Sequence, residues 1–178
     1  METEDDFISP YYWIEGDSLA PPCPTDYAIV NDMLDMLSDF MGADETLMDL
    51  GCGDGRICIS AAKRFGCKAI GVEIEEELIK RFREKVEKQG VQDKVQIVQG
   101  DLLTIDLSVA SIIVLYLLPE AIVLIEDKLK AALQRGVIVL TNTWGIKGIE
   151  PAQVRDVGST HNVRLRMYNS LSVSAVHT

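Results

Sequence analysis

LMDLGCGDGRICISAA, residues 47–62, decides how the rest of the chain is read. A short apolar run leads into Gly51, Gly53 and Gly55, and these lead into a segment able to form a helix. Glycine loses more conformational freedom on folding than any other residue. Its repeated use at one strand-to-helix junction implies that the backbone there takes unusual dihedrals, or that something comes very close to it.

Outward from this stretch, strand-like and helix-like segments alternate. Thr46–Leu50 reads as a strand, residues 55–65 as a helix closed by Gly66, and Lys68–Glu73 (KAIGVE) as a second strand. Residues 75–89 carry Leu78, Ile79, Phe82 and Val86 at helical spacing and end at Gly90. There Glu77 precedes Arg81, and Glu84 precedes Lys88, by one helical turn, which supports the helix. Residues 94–98 read as a third strand. Residues 110–116 form a fourth, continuously apolar as a strand covered on both faces should be. Pro119 suits the first turn of a helix running to about Gln134, and residues 136–142 read as a fifth strand. On the N-terminal side, Thr25 is the expected cap of a helix carrying Val30, Met33, Leu34, Leu37 and Met41, with Gly42 as its stop. Residues 153 to about 173 are read as an antiparallel hairpin turning at 158–162.

Such alternation implies a single α/β domain of three layers, Rossmann-like, with a mostly parallel sheet and a C-terminal antiparallel hairpin. Residues 1–24, with Pro10, Pro21, Pro22, Pro24 and the aromatics Tyr11, Tyr12 and Trp13, are expected to be an N-terminal strap. Residues 25–178 are the expected domain. In this architecture a ligand sits beyond the carboxyl ends of the strands, at the topological switch point.

Composition narrows the function. The 178 residues are 47% hydrophobic and 25% charged, an ordinary globular balance, with a formal net charge of −11. That charge disfavours a broad nucleic-acid surface and suits a basic partner or a small molecule. No run of about 18 apolar residues is present, so no membrane span is expected. The acidic start METEDDF resembles neither a secretory nor a mitochondrial leader, and a cytoplasmic setting is expected. Cys23, Cys52, Cys58 and Cys67 form no CxxC pair, and only His161 and His177 could join them, so no metal site is expected.

Three loops carry the candidate site. Asp49, Gly51, Cys52 and Gly53 belong to the turn after the first strand. Glu73, followed by Ile74, ends the second strand, where a carboxylate can accept both hydroxyls of a ribose. Asp101 and Leu102 follow the third strand, where a carboxylate can accept from an adenine amino group and an amide can donate to the ring. Together they describe an adenosine-shaped pocket. A dinucleotide site calls for G-x-G-x-x-G with pyrophosphate on a helix N-terminus. Here the spacing is G-x-G-x-G, and Asp49 and Asp54 place negative charge beside the loop. Carboxylates repel pyrophosphate and attract the ammonium and sulfonium of S-adenosylmethionine.

MDLGCGDGR, GVEIE and QGDLL resemble the nucleotide-binding motifs of class I S-adenosylmethionine-dependent methyltransferases. APPCPT (residues 20–25), DLGCGDGRI and VLYLLPEA further resemble a group of small methyltransferases that includes eukaryotic lysine methyltransferases of mitochondrial membrane proteins. The resemblance covers roughly residues 20–145 and implies a methyl donor bound by Asp49, Gly51, Cys52, Gly53, Glu73, Ile74, Asp101 and Leu102. It also implies a protein lysine as acceptor. There are departures. Tyr116-Leu117-Leu118-Pro119 stands where adenine and glutamine N-methyltransferases carry Asn or Asp, Pro-Pro and an aromatic. Asp26 follows Thr25 where the group often has proline. The membrane-anchoring segment of the mitochondrial members is not expected here.

Methyl transfer is an in-line displacement, so the protein chiefly aligns the reactants and strips water. Tyr116, after the fourth strand, is the candidate catalytic residue on the acceptor side, although a residue ending a buried strand can simply pack. Trp144 is a further candidate wall, and Tyr11, Tyr12 and Trp13 a candidate cover gripping a lysine stem or cation. Cys52 is read as a space-filler and not a nucleophile. The competing readings are methylation of a small molecule or RNA, and a partner subunit that binds the donor without catalysis. A nicotinamide-dependent oxidoreductase is disfavoured by glycine spacing and loop charge.

Overall fold

The structure is a computed structural model and describes residues 24–174. The expected strap over residues 1–24 therefore lies outside the described residues except for Pro24, as do Tyr11, Tyr12, Trp13, Cys23 and His177.

The first helix, α1 (Tyr27–Leu37), is capped by Asp26, whose carboxylate accepts from the Ala28 amide at 2.8 Å. Thr25 is not the cap expected from the sequence. It is buried, and its carbonyl serves another part of the chain. α1 ends in a 3-10 turn, Ser38–Phe40, so Met41 packs on the core from extended backbone and not from the helix. Then come β1 (Thr46–Leu50), α2 (Arg56–Phe65), β2 (Lys68–Glu73), α3 (Glu76–Gln89), β3 (Val95–Gln99), β4 (Ile112–Leu115), α4 (Pro119–Gln134) and β5 (Ile138–Asn142). Gly66 and Gly90 close α2 and α3 in the left-handed conformation, and Pro119 opens α4, as the spacing predicts. β6 (Gln153–Val157) and β7 (Val163–Tyr168) form the C-terminal hairpin. The hairpin stops at Tyr168, short of the expected residue 173. Asn169 accepts from the Leu171 amide and starts the short α5 (Ser170–Ser174).

The sheet runs β3-β2-β1-β4-β5-β7-β6. β1 to β5 are parallel, whereas β7 is antiparallel to β5 and β6 is antiparallel to β7. It is a Rossmann-like three-layer fold of the expected class. Alternation along β1 sends Met48 and Leu50 to the face covered by α4, and Leu47 to the face covered by α1 and α2. Phe82 and Val86 of α3 pack with Cys58, Ile59 and Ala62 of α2 in a third cluster.

The strand order reverses between β1 and β4. Register aligns Leu50 with Val72 on one side and Leu115 on the other. Glu73 pairs with Gln99, and Leu115 with Thr141. Gly51, Glu73, Gln99, Tyr116 and Asn142 consequently form one row along the carboxyl edge of five parallel strands.

Candidate functional site

Gly51, Gly53 and Gly55 all have positive φ, at 76°, 57° and 78°. A side chain at any of them would be strained, which accounts for glycine at each. A second reason differs between them. A β-carbon on Gly53 would meet nothing within 4 Å, so the loop there is an open cradle. A β-carbon on Gly55 would lie 1.9 Å from the Phe82 ring, so this glycine lets α3 close on the loop.

Four amides of this loop are already committed. Gly51 and Cys52 both donate to the Val72 carbonyl, at 2.9 and 3.0 Å. Gly53 donates to Glu73 Oε2 at 2.9 Å, and Gly55 donates to the Cys52 carbonyl. The loop lets a ligand come close without offering it a nest of amide donors. Pyrophosphate needs such donors.

Glu73 buttresses the loop. Besides Gly53, it accepts from the amides of Ile74 (2.8 Å) and Glu75 (3.0 Å) through Oε1. Each carboxylate oxygen has a second lone-pair direction, so hydroxyls can still be accepted. Asp49 is 3% exposed, and no cation among the described residues pairs with it. Burial, reinforced by the neighbouring charges of Glu73 and Asp54, pushes its carboxyl up from 3.8 to about 8. Asp54 behaves oppositely. Burial raises its pKa, but hydrogen bonds and charge from Arg56 and then Lys85 outweigh that and hold it below the ordinary range. The loop therefore presents one neutralised carboxylate, Asp54, and not the two unpaired ones that the sequence suggests.

Cys52 points into the cluster under α3, beside Gly71, and burial drives its thiol well above the usual range. It fills space, as expected. Ile74, next to Glu73, is 57% exposed on the rim. Asp101 Oδ1 accepts from the Leu103 amide at 2.8 Å, an Asx turn after β3, and the Leu102 side chain is buried in the core beside Val98 and Ile105.

Across the edge, Tyr116 and Trp144 stack with ring centroids 5.8 Å apart and 16° between planes. Thr143, between β5 and Trp144, has φ of 65°, rare for a threonine. It is held there because its amide donates to the Arg164 carbonyl, its carbonyl accepts from Arg166 Nη1, and its hydroxyl donates to Asn142 Oδ1. The hairpin thereby sets the position of Trp144. Asn142, Thr143 and Arg166 were not singled out by the sequence reading. The only local signal was polar residues directly after an apolar strand. Among the described residues, no group of His, Cys, Asp and Glu could hold a metal, and no helix is long and apolar enough to cross a membrane.

The residues present fit S-adenosylmethionine. Gly53 opens onto free space, four of the loop amides are already bonded within the protein, and Asp49, an acid with no cation paired to it, is a group that a cationic ligand would ionise. Comparison with known proteins agrees. Residues 49–153 match the profile of the ANTKMT methyltransferase domain. A protein-lysine N-methyltransferase of Saccharolobus islandicus (strain REY15A) is 36% identical over 149 residues, covering 82% of this chain and 91% of that protein. A ribosomal protein L11 methyltransferase of Clostridium botulinum (strain Eklund 17B / Type B) is 30% identical over 106 residues, 60% of this chain but 34% of that protein. The crystal structure of an RNA methyltransferase from Salinibacter ruber, in complex with S-adenosyl-L-homocysteine, superposes with a TM-score of 0.72. It has 31% identity and covers 82% of this chain and 92% of the other.

Proposed function

This chain belongs to the ANTKMT methyltransferase family and is an S-adenosylmethionine-dependent methyltransferase, and we propose that it methylates the ε-amino group of a protein lysine. The observation that carries the reading is the Tyr116–Trp144 stack at the carboxyl ends of β4 and β5, in the same row as the glycine loop. An aromatic wall suits the aliphatic stem of lysine and its terminal cation. The net charge of −11 would draw in a basic protein surface. The 36% identical relative bears the name protein-lysine N-methyltransferase.

S-adenosylmethionine supplies a methyl group on a sulfonium, already activated for displacement. In the proposed arrangement Glu73 accepts from the ribose hydroxyls while keeping its bond to Gly53, and Asp49 balances the donor's positive charge. Ile74 and Leu102 line the adenine side, with Asp101 beside them. Gly51, Cys52 and Gly53 provide the close backbone contact. Tyr116 and Trp144 orient the acceptor and exclude water, leaving proximity to do most of the catalytic work.

RNA methylation is the second reading. It is favoured by the Salinibacter ruber neighbour, and a stacked aromatic pair can also receive a base. Transfer of radiolabelled methyl from S-adenosylmethionine into an extract of the source organism, fractionated afterwards, separates the two. Gly53→Arg, which fills the cradle, serves as control. Label recovered as methyl-lysine from a protease-sensitive band is the expected result. Label confined to RNA or to small molecules would discard the lysine acceptor.

A further inference from the structure

Asp54, between Gly53 and Gly55, is 3% exposed, and its carboxylate is fully engaged inside the protein. Arg56 Nε reaches Oδ1 at 3.1 Å and Arg56 Nη2 reaches Oδ2 at 2.8 Å, while Lys85 Nζ of α3 donates to Oδ2 at 2.9 Å. The remaining arm of the guanidinium, Nη1, donates to the Thr25 carbonyl at 2.9 Å, one residue before the α1 cap. The same guanidinium lies 4.7 Å from the centroid of the Tyr27 ring in the first turn of α1. One buried side chain thus joins the glycine loop to the start of α1.

Stability alone is a poor account of this arginine. Arg56 is the first residue of α2, and a cation there opposes the helix dipole; α2 has no acid in its first turn. A buried ion pair must also offset the desolvation of both partners. What the fork does supply is geometry. It fixes Asp54, and through Asp54 the turn on which Gly53 and Gly55 sit.

We propose that Arg56 is a positioning residue for the methyl donor, clamping the Gly51–Gly55 loop through Asp54 and tying it to the first turn of α1. The proposal rests on reading that loop as the donor site. Its consequence is reciprocal coupling: a ligand that orders the loop also orders the first turn of α1. Lysine cannot replace Arg56, because a single ammonium cannot grip both Asp54 oxygens, reach Thr25 and stack on Tyr27 together.

The test combines calorimetric titration of S-adenosylhomocysteine with amide hydrogen exchange over residues 24–34, for the unaltered protein, Arg56→Lys, Tyr27→Leu and Arg64→Ala. Arg64 pairs with Asp35 at the far end of α1, so its loss removes an α1–α2 tie that does not involve the loop. In the unaltered protein and in Arg64→Ala, ligand should slow exchange of the α1 first-turn amides. Arg56→Lys should bind about tenfold more weakly, because the ligand must then order a loop that the fork no longer holds. At saturating ligand it should show no added protection of α1. Tyr27→Leu, which keeps the fork intact, should lose part of that protection and still bind, and it carries the test if Arg56→Lys does not fold. Ligand-linked protection of α1 retained in Arg56→Lys, or in Tyr27→Leu at the unaltered level, would overturn the clamp while leaving the donor site standing. Failure of the unaltered protein to bind S-adenosylhomocysteine would instead remove the donor site itself.

Discussion

Asp49 offers the sharpest test of the site's electrostatics. In the folded chain burial, Glu73 and Asp54 push its carboxyl up from 3.8 to about 8. Between these two values the unfolded chain has released a proton that the folded chain still holds. Stability from this group is therefore complete below pH 3.8, declines as pH rises through the interval, and declines no further above about 8. Each unit is worth about 1.4 kcal/mol, so by pH 7 the buried acid costs on the order of 4 kcal/mol. Asp49→Asn removes that slope. For a chain of this size 1 kcal/mol corresponds to roughly 2–4 °C, so the variant should melt about 10 °C higher than the unaltered protein near pH 7, with a much smaller gap near pH 4.5. Thermal unfolding of both proteins from pH 4.5 to 8.5, without ligand, makes the measurement. The same linkage acts on binding. A cationic donor favours ionised Asp49, so uptake of S-adenosylmethionine below pH 8 should release a proton. Calorimetry in buffers of different ionisation heat detects that release, and Asp49→Asn should lose it and bind more weakly. An equal melting gap between the two proteins at pH 4.5 and pH 8 would refute the reasoning, because it would mean that Asp49 is not a strained acid in this fold.

Other outcomes follow from particular contacts. Glu73→Ala should weaken donor binding by roughly 1.5–3 kcal/mol, the usual loss for a hydrogen bond to a charged group, and titration of S-adenosylhomocysteine reads it. Gly71→Ala places a β-carbon 2.3 Å from the Phe82 ring and 2.7 Å from Cys52 Sγ. It should destabilise the fold by about 1–3 kcal/mol in urea unfolding, with a larger loss if α3 cannot shift. Trp144→Ala removes the partner of Tyr116 and should raise KM for a protein acceptor while leaving the donor dissociation constant unchanged. A changed donor constant would place Trp144 on the wrong side of the site.

The order and type of the main elements could be read from the chain because the signals are local. An unbroken apolar run such as 112–115 is suited to a strand covered on both faces, and Gly66 and Gly90 stop helices through dihedrals intrinsic to glycine. The junction at Gly51, Gly53 and Gly55 declared itself for the same reason, as did carboxylates at strand ends that chain order alone brings to one edge. Tertiary structure decided what those groups are attached to. Only the register of β2 against β1 brings the Val72 carbonyl and Glu73 under the loop and uses up its amides. Only the packing of α1 and α3 onto α2 turns Asp54 from a charge facing a ligand into a buried anchor for Arg56 and Lys85. The Tyr116–Trp144 stack likewise needs the antiparallel β7, whose Arg166 holds Thr143 in a conformation that threonine resists. Apart from Asp54 and Arg56, which are two residues apart, each of these contacts joins residues far apart in the chain, and the direction of a side chain at such a meeting point is set by what packs against it.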